Sequence, residues 1–515
     1  MIMQKNIFIY CAILFSTVFS YSQTQDAALN YALKDLTGTA RFTAMSGAFG
    51  ALGGDISALK INPAGSSIFL TNHVSFSISN EHYTNDAFFR NNATSSSNNK
   101  FDLHQAGAVF VYNSYNPEAT LTKFSFGFTY DRNKSLDDKF TGLGAASTSI
   151  GNYFTNLANG VPLDLFTTMS GESLDDLYIY LGEANFSAEG FNNVNLQTAY
   201  LGYETFIFDA ENPGDLNSTS YISNVSGNNF EQRYNHRSTG LNGKFSANGS
   251  LELDKRFYLG LNLNGHFINY EKTTDLYEIA PESSTVDEIY FENSLRTLGT
   301  GFSFDLGGIV KVNDMLRLGA SYKSPTWYVI QDETKQYLET YSEGFEQPRA
   351  IANPRVINVF PNYRLRTPGE LTGSAAVVFG EHGLLSVDYT YKNYANMKYS
   401  SDEVSIDFST QNAIIDNLYQ ATSSIRIGGE YRLKNWRLRA GYRYEESPYK
   451  NEDLMSALNG YSAGIGYSFG KIRLDFAYDN AQRDYSANLD FTDYSERIQI
   501  DRSRSNYVLT MSLAM

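Results

Sequence analysis

The sequence predicts an all-β fold: a 14-stranded antiparallel transmembrane β-barrel with an N-terminal periplasmic hatch, or plug, and a long, partly helical extracellular loop. Three observations predict it. Apolar and polar residues alternate with period two, short and long connections alternate between the strands, and aromatic residues are abundant. The 515 residues include 38 Tyr and 35 Phe but only 11 Pro, a balance that favours strands over disorder.

The alternation is clearest in Phe124–Tyr130, where every second residue is aromatic, and it recurs in Trp436–Tyr444. A strand with one face in lipid and the other in a polar lumen has this pattern. A soluble β-sandwich alternates too, so alternation alone does not separate the two folds. The fourteen strand centres are predicted near residues 76, 108, 126, 246, 263, 303, 319, 372, 388, 428, 440, 464, 476 and 510.

The lengths of the connections favour the barrel. Short turns on one side and long loops on the other are typical of outer-membrane barrels, and an even strand number returns both chain ends to the periplasmic side. The last strand alternates to Met515, and barrel-insertion machinery is expected to recognise it. The short turns are predicted at 113–120, 254–255, 313–314, 380–383, 434–435 and 470–471. The long loops are predicted at 81–101, 132–238, 271–294, 324–361, 395–421, 446–459 and 481–504, with a mobile Asn- and Ser-rich stretch at 91–100.

Met1–Ser22 is predicted to be a secretory signal peptide. Lys5 supplies the positive start, Ile7–Phe19 is an apolar run too short to span a bilayer, and small residues follow it. A buried N-terminal strand is the alternative. Because Cys11 lies inside this leader, the mature chain would contain no cysteine and no disulfide.

Residues 23–72 are predicted to form a hatch inside the barrel made by residues 73–515. The stretch 41–67 is rich in glycine, which permits tight packing and unusual backbone angles, and Pro63 biases the residue before it away from helix. A dinucleotide-binding fingerprint is excluded because the glycine spacing is wrong and no βαβ unit follows. The candidate gating residues are Gly47, Gly50, Gly53, Gly54, Asn62, Pro63 and Ala64.

The insertion at residues 132–238 has apolar residues spaced by three and four, which predicts short helices. A loop of this length usually has a function. Two interpretations stay open: the apolar faces pack on one another, or they form an exposed groove that first captures a ligand. The candidate substrate-binding residues are Phe154, Leu157, Leu165, Phe166, Tyr200, Tyr203, Phe206 and Phe208.

Charged residues of both signs are predicted to face the lumen. They would pair with one another and tie the barrel wall to the hatch. The alternatives are that they only keep the barrel open and hydrated, or that an arginine among them receives an anionic head group. This group contains Asp305, Asp388, Arg426, Glu430, Arg432, Arg437, Arg439, Arg443, Arg473 and Asp475.

Several functions are excluded by composition and spacing. The net charge of −16 argues against nucleic acid as a partner, because no basic stripe offsets it. Six histidines show no metal-ligand spacing, and no nucleophile, base and orienting group are paired, so no metal, cofactor or enzyme activity is predicted.

The chain resembles the FadL-type outer-membrane transporters of long-chain fatty acids and other hydrophobic compounds. The resemblance is carried by the stretch from Gly47-Ala48-Phe49-Gly50 to Asn62-Pro63-Ala64, by Asn313–Pro325 (NDMLRLGASYKSP), by Leu438–Pro448 (LRAGYRYEESP) and by Tyr461–Tyr478. It implies a hatch whose shift opens a path from an extracellular groove, past an internal pocket, to a lateral opening at an inward kink of the third strand. Within Phe124–Tyr130 the alternation shows no break.

Together these features predict passive transport of hydrophobic small molecules, such as long-chain fatty acids, across a bacterial outer membrane. The expected partners are the ligand, the outer-membrane lipid and the insertion machinery, and the barrel is expected to be a monomer. Two alternatives remain: a general porin for hydrophilic solutes, which would lack a plug, and a structural or adhesive barrel that uses its long acidic loops to bind partners.

Overall fold

The computed structural model describes residues 24–515 except 117, 185, 187–189, 283, 344–347, 404–405 and 490–495. The predicted signal peptide, Met1–Ser22, lies outside the described residues. Fourteen antiparallel strands form a closed barrel, because the first strand pairs with the last from His73↔Ala514 to Phe88↔Gln499. The fold class predicted from the sequence is therefore confirmed.

Four of the fourteen strands are built from two successive pieces, and one is built from four. The strands are β1 His73–Phe89, β2 Asn92–Asn113, β3 Leu121–Ser135 with Asp138–Ala146, β4 Phe230–Leu253, β5 Phe257–Ile279, β6 Glu288–Lys311, β7 Leu316–Lys323 with Trp327–Tyr341, β8 Arg349–Ala352 with Asn358–Val359, Tyr363–Arg366 and Glu370–Val378, β9 Gly383–Asn393 with Lys398–Ser400, β10 Ala421–Leu433, β11 Trp436–Glu445, β12 Leu458–Phe469, β13 Ile472–Gln482 with Tyr485–Asn488, and β14 Arg497–Ala514. Each predicted strand centre falls in a different one of them.

The outer and inner faces of the strands explain the alternation in the sequence. On β5, Leu259, Leu261 and Leu263 are exposed on the outside of the barrel, while Asn262 and Asn264, which alternate with them, are buried inside it. An outward apolar band and a polar interior are what a barrel in lipid requires. The interior is filled by hydrogen-bonded side chains, for example Asn262 Nδ2 donating to Asp305 Oδ2 at 3.0 Å.

The predicted loops at 81–101 and 271–294 are too long, and the mobile loop predicted at 91–100 is wrong. β1 and β2 stay paired from Glu81↔Lys100 to Phe89↔Asn92, and only Arg90 and Asn91 form the turn. Both turn residues have positive φ, 46° and 67°. The strands continue beyond the apolar band, where exposed Asn and Ser side chains meet water while the backbone remains hydrogen-bonded to the next strand.

Proline accounts for two of the strand breaks. Pro325 separates the two pieces of β7, and Pro368 separates the last two pieces of β8. Proline has no backbone N–H, so it cannot continue the hydrogen-bond ladder. Pairing resumes beyond the break, where Trp327 and Phe302 face each other across β7 and β6.

The helices lie in the hatch and in the long connections. They are α1 Gln25–Ala32, α2 Ala40–Ala44, α3 Ile150–Ala158, α4 Leu174–Glu183, α5 Asn193–Glu204 and α6 Ser409–Leu418, with 3-10 helices at Ile56–Lys60, Pro63–Ile68, Leu163–Phe166 and Tyr394–Asn396. No helix in the described ranges is both long and apolar enough to cross a membrane. We call residues 147–229, between β3 and β4, the cap; its helices α3, α4 and α5 agree with the short helices predicted there.

Candidate functional site

Residues 24–72 fill the barrel interior, and we call this segment the hatch. Its centre is Asn62, which is 1% exposed. Asn62 Nδ2 donates to the carbonyl of Gly50 within the hatch at 2.8 Å and to the carbonyl of Gly308 on β6 at 3.0 Å. Its Oδ1 accepts the backbone N–H of Ala64 at 3.1 Å, which caps the 3-10 helix Pro63–Ile68. One side chain therefore shapes the turn and joins the hatch to the wall.

Glycines in the wall let the hatch approach it closely. A Cβ at Gly319 on β7 would lie 2.3 Å from the carbonyl oxygen of Gly50, and a Cβ at Gly307 would lie 2.0 Å from Asn62 Oδ1. In the hatch, Gly47, Gly53 and Gly54 have φ values of 79°, 59° and 64°. Such backbone angles favour glycine, so the glycines shape the hatch and its fit to the wall.

Charged lumen residues hold the hatch to the barrel. Asp388 accepts the backbone N–H of Phe49 at 2.9 Å and that of Gly50 at 3.0 Å. Arg41 of the hatch donates to Glu430 at 3.0 Å, and Glu430 also accepts from Arg439 at 2.7 Å. The contacts of Asp388 with the hatch and of Arg41 with Glu430 join residues that are hundreds of positions apart in the chain.

The other lumen charges pair along the wall or stabilise turns. Arg439 and Arg473 both donate to Asp475 at 2.7 Å, and Arg432 donates to Glu430 at 2.8 Å. Arg437 differs, because its guanidinium donates to the carbonyls of Lys434 and Trp436 in its own turn. The remaining contacts are Arg426 with Glu445 at 3.4 Å, Arg443 with Asp479 at 2.7 Å, and Asp305 with Asn262 and Asn264.

Two ionisable hatch residues have altered acidities. Burial lowers the pKa of Lys60 to about 7, although the carboxylate of Asp131, 3.9 Å from Nζ, acts in the opposite direction. Lys60 Nζ also donates to Thr37 Oγ1 at 2.9 Å. For Asp35, burial acts to raise the pKa, but Arg504, 2.6 Å away, and Lys134 outweigh it, so the pKa is lowered.

A cavity of about 890 Å³ lies between the hatch and the cap. Its floor includes Leu29 and Leu33 at α1, its wall includes Tyr270, and its upper part includes Asn156 and Leu157 of α3. The volume suits a small organic molecule. No pattern in the sequence indicates the α1 contribution, because the helix faces a space that forms only when the barrel closes.

The cap residues proposed to bind a ligand are mostly in the interior of the cap. Phe154, Phe166, Tyr200 and Phe208 are each 0% exposed and pack with one another in one apolar cluster, whose rim includes Leu165 and Tyr203. Phe206 is 50% exposed, and only Leu157 among the eight lines the cavity. These four buried residues therefore do not form an exposed apolar groove. They pack on one another, as the other interpretation of the sequence predicts.

The wall has a break beside the hatch. The ladder between β2 and β3 ends at Gln105↔Asp131, and from Arg132 onward β3 pairs only with β4. The hatch takes the vacated position, since the N–H of Asp35 donates to the carbonyl of Asn133 at 2.8 Å. Arg132 is fully buried in the break and donates to Asp102 of β2 at 3.2 Å. The regular alternation of Phe124–Tyr130 therefore ends directly before the point where β3 separates from β2.

The chain is similar to known outer-membrane proteins. A family model described as outer membrane protein transport protein (OMPP1/FadL/TodX) matches residues 229–515. A putative outer membrane protein of Neisseria meningitidis serogroup B is 22% identical over 192 residues, which cover 35% of this chain and 41% of that protein. The match thus spans about two fifths of that relative's length.

Two solved structures are similar over nearly their whole length. A Pseudomonas aeruginosa FadL homologue has 13% identity and a TM-score of 0.52, with 94% of this chain and 99% of that one covered. The Pseudomonas putida toluene transporter TodX has 15% identity and a TM-score of 0.49, with coverage of 93% and 99%. The first of these likenesses supports the barrel fold.

Proposed function

The chain belongs to the outer membrane protein transport protein family (OMPP1/FadL/TodX), and we propose that it takes up hydrophobic small molecules passively through a barrel gated by its hatch. Membership of this family of transport channels makes the protein an outer-membrane transporter of hydrophobic molecules and not an enzyme. Long-chain fatty acids are the cargo implied by the resemblance in the sequence.

The observation that carries the proposal is the cavity between the hatch and the cap. Its lining is drawn from the hatch, the wall and the cap at once, so a movement of either closing part changes access to it. An apolar molecule gains about 25 cal/mol for each Å² that it buries against apolar surface. This gain draws cargo out of the polar lipopolysaccharide layer without an energy source.

The contacts of Asn62, Asp388 and Arg41 support a gating role for the hatch. They are hydrogen bonds and an ion pair, so they can exchange for water when the hatch shifts. A single such bond contributes about 0.5 to 1.5 kcal/mol net. The hatch also packs on the wall through apolar contacts, for example Ala64 with Tyr258 and Ile309, so a shift of the hatch would exchange both polar and apolar contacts.

We propose that cargo leaves sideways, at the break between β2 and β3. There the wall is closed by Arg132 and by the segment around Asp35, not by strand pairing. A lateral exit keeps an apolar molecule in contact with lipid, whereas release into the periplasm would expose it to water.

The two alternatives conflict with particular features. A general porin needs an open lumen, but the hatch is buried across the barrel interior. A structural or adhesive barrel needs no internal cavity and no break in its wall. Each alternative predicts a permeability that differs from that of the proposed transporter.

Uptake into vesicles tests the proposal. The protein is inserted into liposomes whose outer leaflet is lipopolysaccharide, and entry of a labelled long-chain fatty acid, of toluene and of a small sugar is followed. The intact protein is compared with Asn62→Ala and with a chain lacking residues 23–72. Heat-modifiable migration on gels shows that each barrel is folded.

We expect the intact protein to admit at least one hydrophobic probe and to exclude the sugar, and both hatch variants to leak sugar. Free passage of sugar through the intact protein would make it a porin. Passage of neither class of probe would favour the structural role. Sugar exclusion by a folded barrel without residues 23–72 would overturn hatch gating.

A further inference from the structure

The cap is the part of the chain with the most one-sided charge. Residues 147–229 contain ten Asp and Glu and no Lys, Arg or His. The whole chain carries a net charge of −16, so the cap accounts for a large share of it. A cargo molecule that approaches from the extracellular side meets this surface before it reaches the cavity.

Most of these carboxylates face water. Of the nine that lie in the described part of the chain, six are exposed: Asp164, Asp176, Glu183, Asp209, Glu211 and Asp215. Asp176 accepts hydrogen bonds from Ser173, and these lower the pKa of its carboxyl group, so it is ionised at neutral pH. The electric field of such a negatively charged surface changes the association rates of charged ligands. It acts over about one Debye length, which is about 8 Å at physiological salt.

Among the residues that the structure describes, the lining of the cavity below the cap offers no unpaired cation to an anionic ligand. Arg504 pairs with Asp35 and Arg502 with Asp138. The other described cations of the lining are also engaged: Lys34 with Glu370, Arg483 with Glu445, Lys134 with Asn30, and Lys272, which has a partner as well. A carboxylate would have to compete with these existing partners.

Neutral amides are what the lining does offer. Asn152 and Asn156 lie one turn apart on α3, both line the cavity, and both are exposed. Asn195 of α5 lies in the lining beside them. The side chains of these three residues make no hydrogen bond within the described part of the chain. They can donate to and accept from a neutral hydroxyl, carbonyl or amide group.

We propose that the cargo of this cavity is an uncharged amphiphile, an apolar molecule whose polar groups are hydroxyls, carbonyls or amides, and that the cap disfavours molecules that end in a carboxylate. The inference rests on the proposed transport function and narrows its substrate class. Apolar side chains such as Leu29, Leu33 and Leu157 hold the body of the molecule, and the amides of α3 and α5 hold its polar groups.

The test compares a long-chain fatty acid with the primary alcohol of the same chain length, in the lipopolysaccharide-coated vesicles described above. Entry rates are measured at neutral pH, at about 10 mM and about 500 mM salt, since screening removes long-range repulsion. We expect the alcohol to enter at least about threefold faster than the acid at low salt, with a smaller ratio at high salt.

Two sets of substitutions distinguish the effect of the carboxylates in the cap from the effect of negative charge elsewhere on the protein. The first is Asp164→Asn, Glu183→Gln and Glu211→Gln, three exposed carboxylates of the cap with no side-chain hydrogen bond to a described residue. The second is the matched control Asp254→Asn, Asp314→Asn and Glu381→Gln, three exposed carboxylates in the short turns at the opposite end of the barrel. The cap set should speed entry of the acid and leave the alcohol unchanged, whereas the control set should change neither.

Equal rates for acid and alcohol at low salt would overturn the inference while leaving transport of hydrophobic molecules intact. A cap set that left the acid rate unchanged would also overturn it. Entry of neither molecule, in vesicles that hold folded barrels, would overturn the proposed function itself.

Discussion

The carboxylate of Asp388 in the barrel wall accepts the backbone N–H of Gly50 in the hatch at 3.0 Å. At this contact the hatch approaches the wall without an intervening side chain, since a Cβ on Gly50 would lie 2.0 Å from Ser374 Oγ. A charged acceptor on the wall and a bare backbone on the hatch therefore meet directly. Adding a single side-chain atom at this contact should therefore displace the hatch from the wall.

Replacing Asn62 with alanine should loosen the hatch. The change removes the bonds to the carbonyls of Gly50 and Gly308 and the cap of the following 3-10 helix. The loss of buried hydrogen bonds of this kind costs about 1 to 3 kcal/mol. We expect increased sugar leakage into vesicles, while heat-modifiable migration still shows a folded barrel. Asn212→Ala, at an exposed position in the cap, should leave leakage unchanged, and an equal effect of both variants would contradict this prediction.

Gly319→Ala should unseat the hatch by adding one methyl group. The new Cβ would lie 2.3 Å from the carbonyl oxygen of Gly50, and backbone cannot move aside as a side-chain end can. Gly373→Ala on β8 is the matched control, because nothing lies within 4 Å of its Cβ position. We expect sugar leakage to increase for Gly319→Ala alone. If the Gly319→Ala barrel still excludes sugar, this close approach does not hold the hatch.

The fourteen strands could be predicted because lipid outside and a polar lumen inside impose period two on every strand. The upper part of β2 could not be predicted because polar side chains lie on both of its faces there, so only backbone pairing defines the strand. Contacts such as Asn62 with Gly308 could not be predicted, since no local pattern brings residues so distant in the chain together. The apolar residues of the cap were found, but an apolar helix face does not indicate whether it packs on a ligand or, as Phe154 does, on its neighbours.

Glu430→Gln should destabilise the closed state strongly. Glu430 accepts from Arg41 at 3.0 Å and from Arg439 at 2.7 Å, and its side chain is only 2% exposed. Removing one member of a buried charge group leaves the other charges uncompensated and costs about 3 to 5 kcal/mol. We expect a lower thermal unfolding midpoint together with sugar leakage. Glu231→Gln, at an exposed site, should change the free energy of unfolding by less than about 0.5 kcal/mol. If the two variants have the same unfolding midpoint, Glu430 does not hold the hatch.

Lys60 should make the stability of the closed state depend on pH. Its pKa is about 7 in the native state because of burial, and about 10.4 in an unfolded chain. Between these values the unfolded state binds the extra proton, so the free energy of unfolding should increase with pH from about 7 to about 10.4. Below that window the contribution of Lys60 should not change with pH.

The Lys60→Met variant isolates this contribution. The stability of the natural protein minus that of the variant, from denaturant unfolding at several pH values, should increase across that window and stay constant below it. A difference that does not change with pH would mean that Lys60 keeps its proton when buried, held by Asp131 at 3.9 Å.

Filling the cavity should stop hydrophobic cargo without opening the barrel. Asn156 lines the cavity on α3 and makes no side-chain hydrogen bond to a described residue, so Asn156→Trp places an indole in the space without breaking a contact. We expect entry of the long-chain alcohol to decrease at least about tenfold, equivalent to a barrier about 1.4 kcal/mol higher, while sugar remains excluded. Asn212→Trp adds the same indole to the outside of the cap and should leave alcohol entry unchanged. If Asn156→Trp transports alcohol at the normal rate in a folded barrel, cargo does not pass through this cavity, and another route past the hatch must be sought.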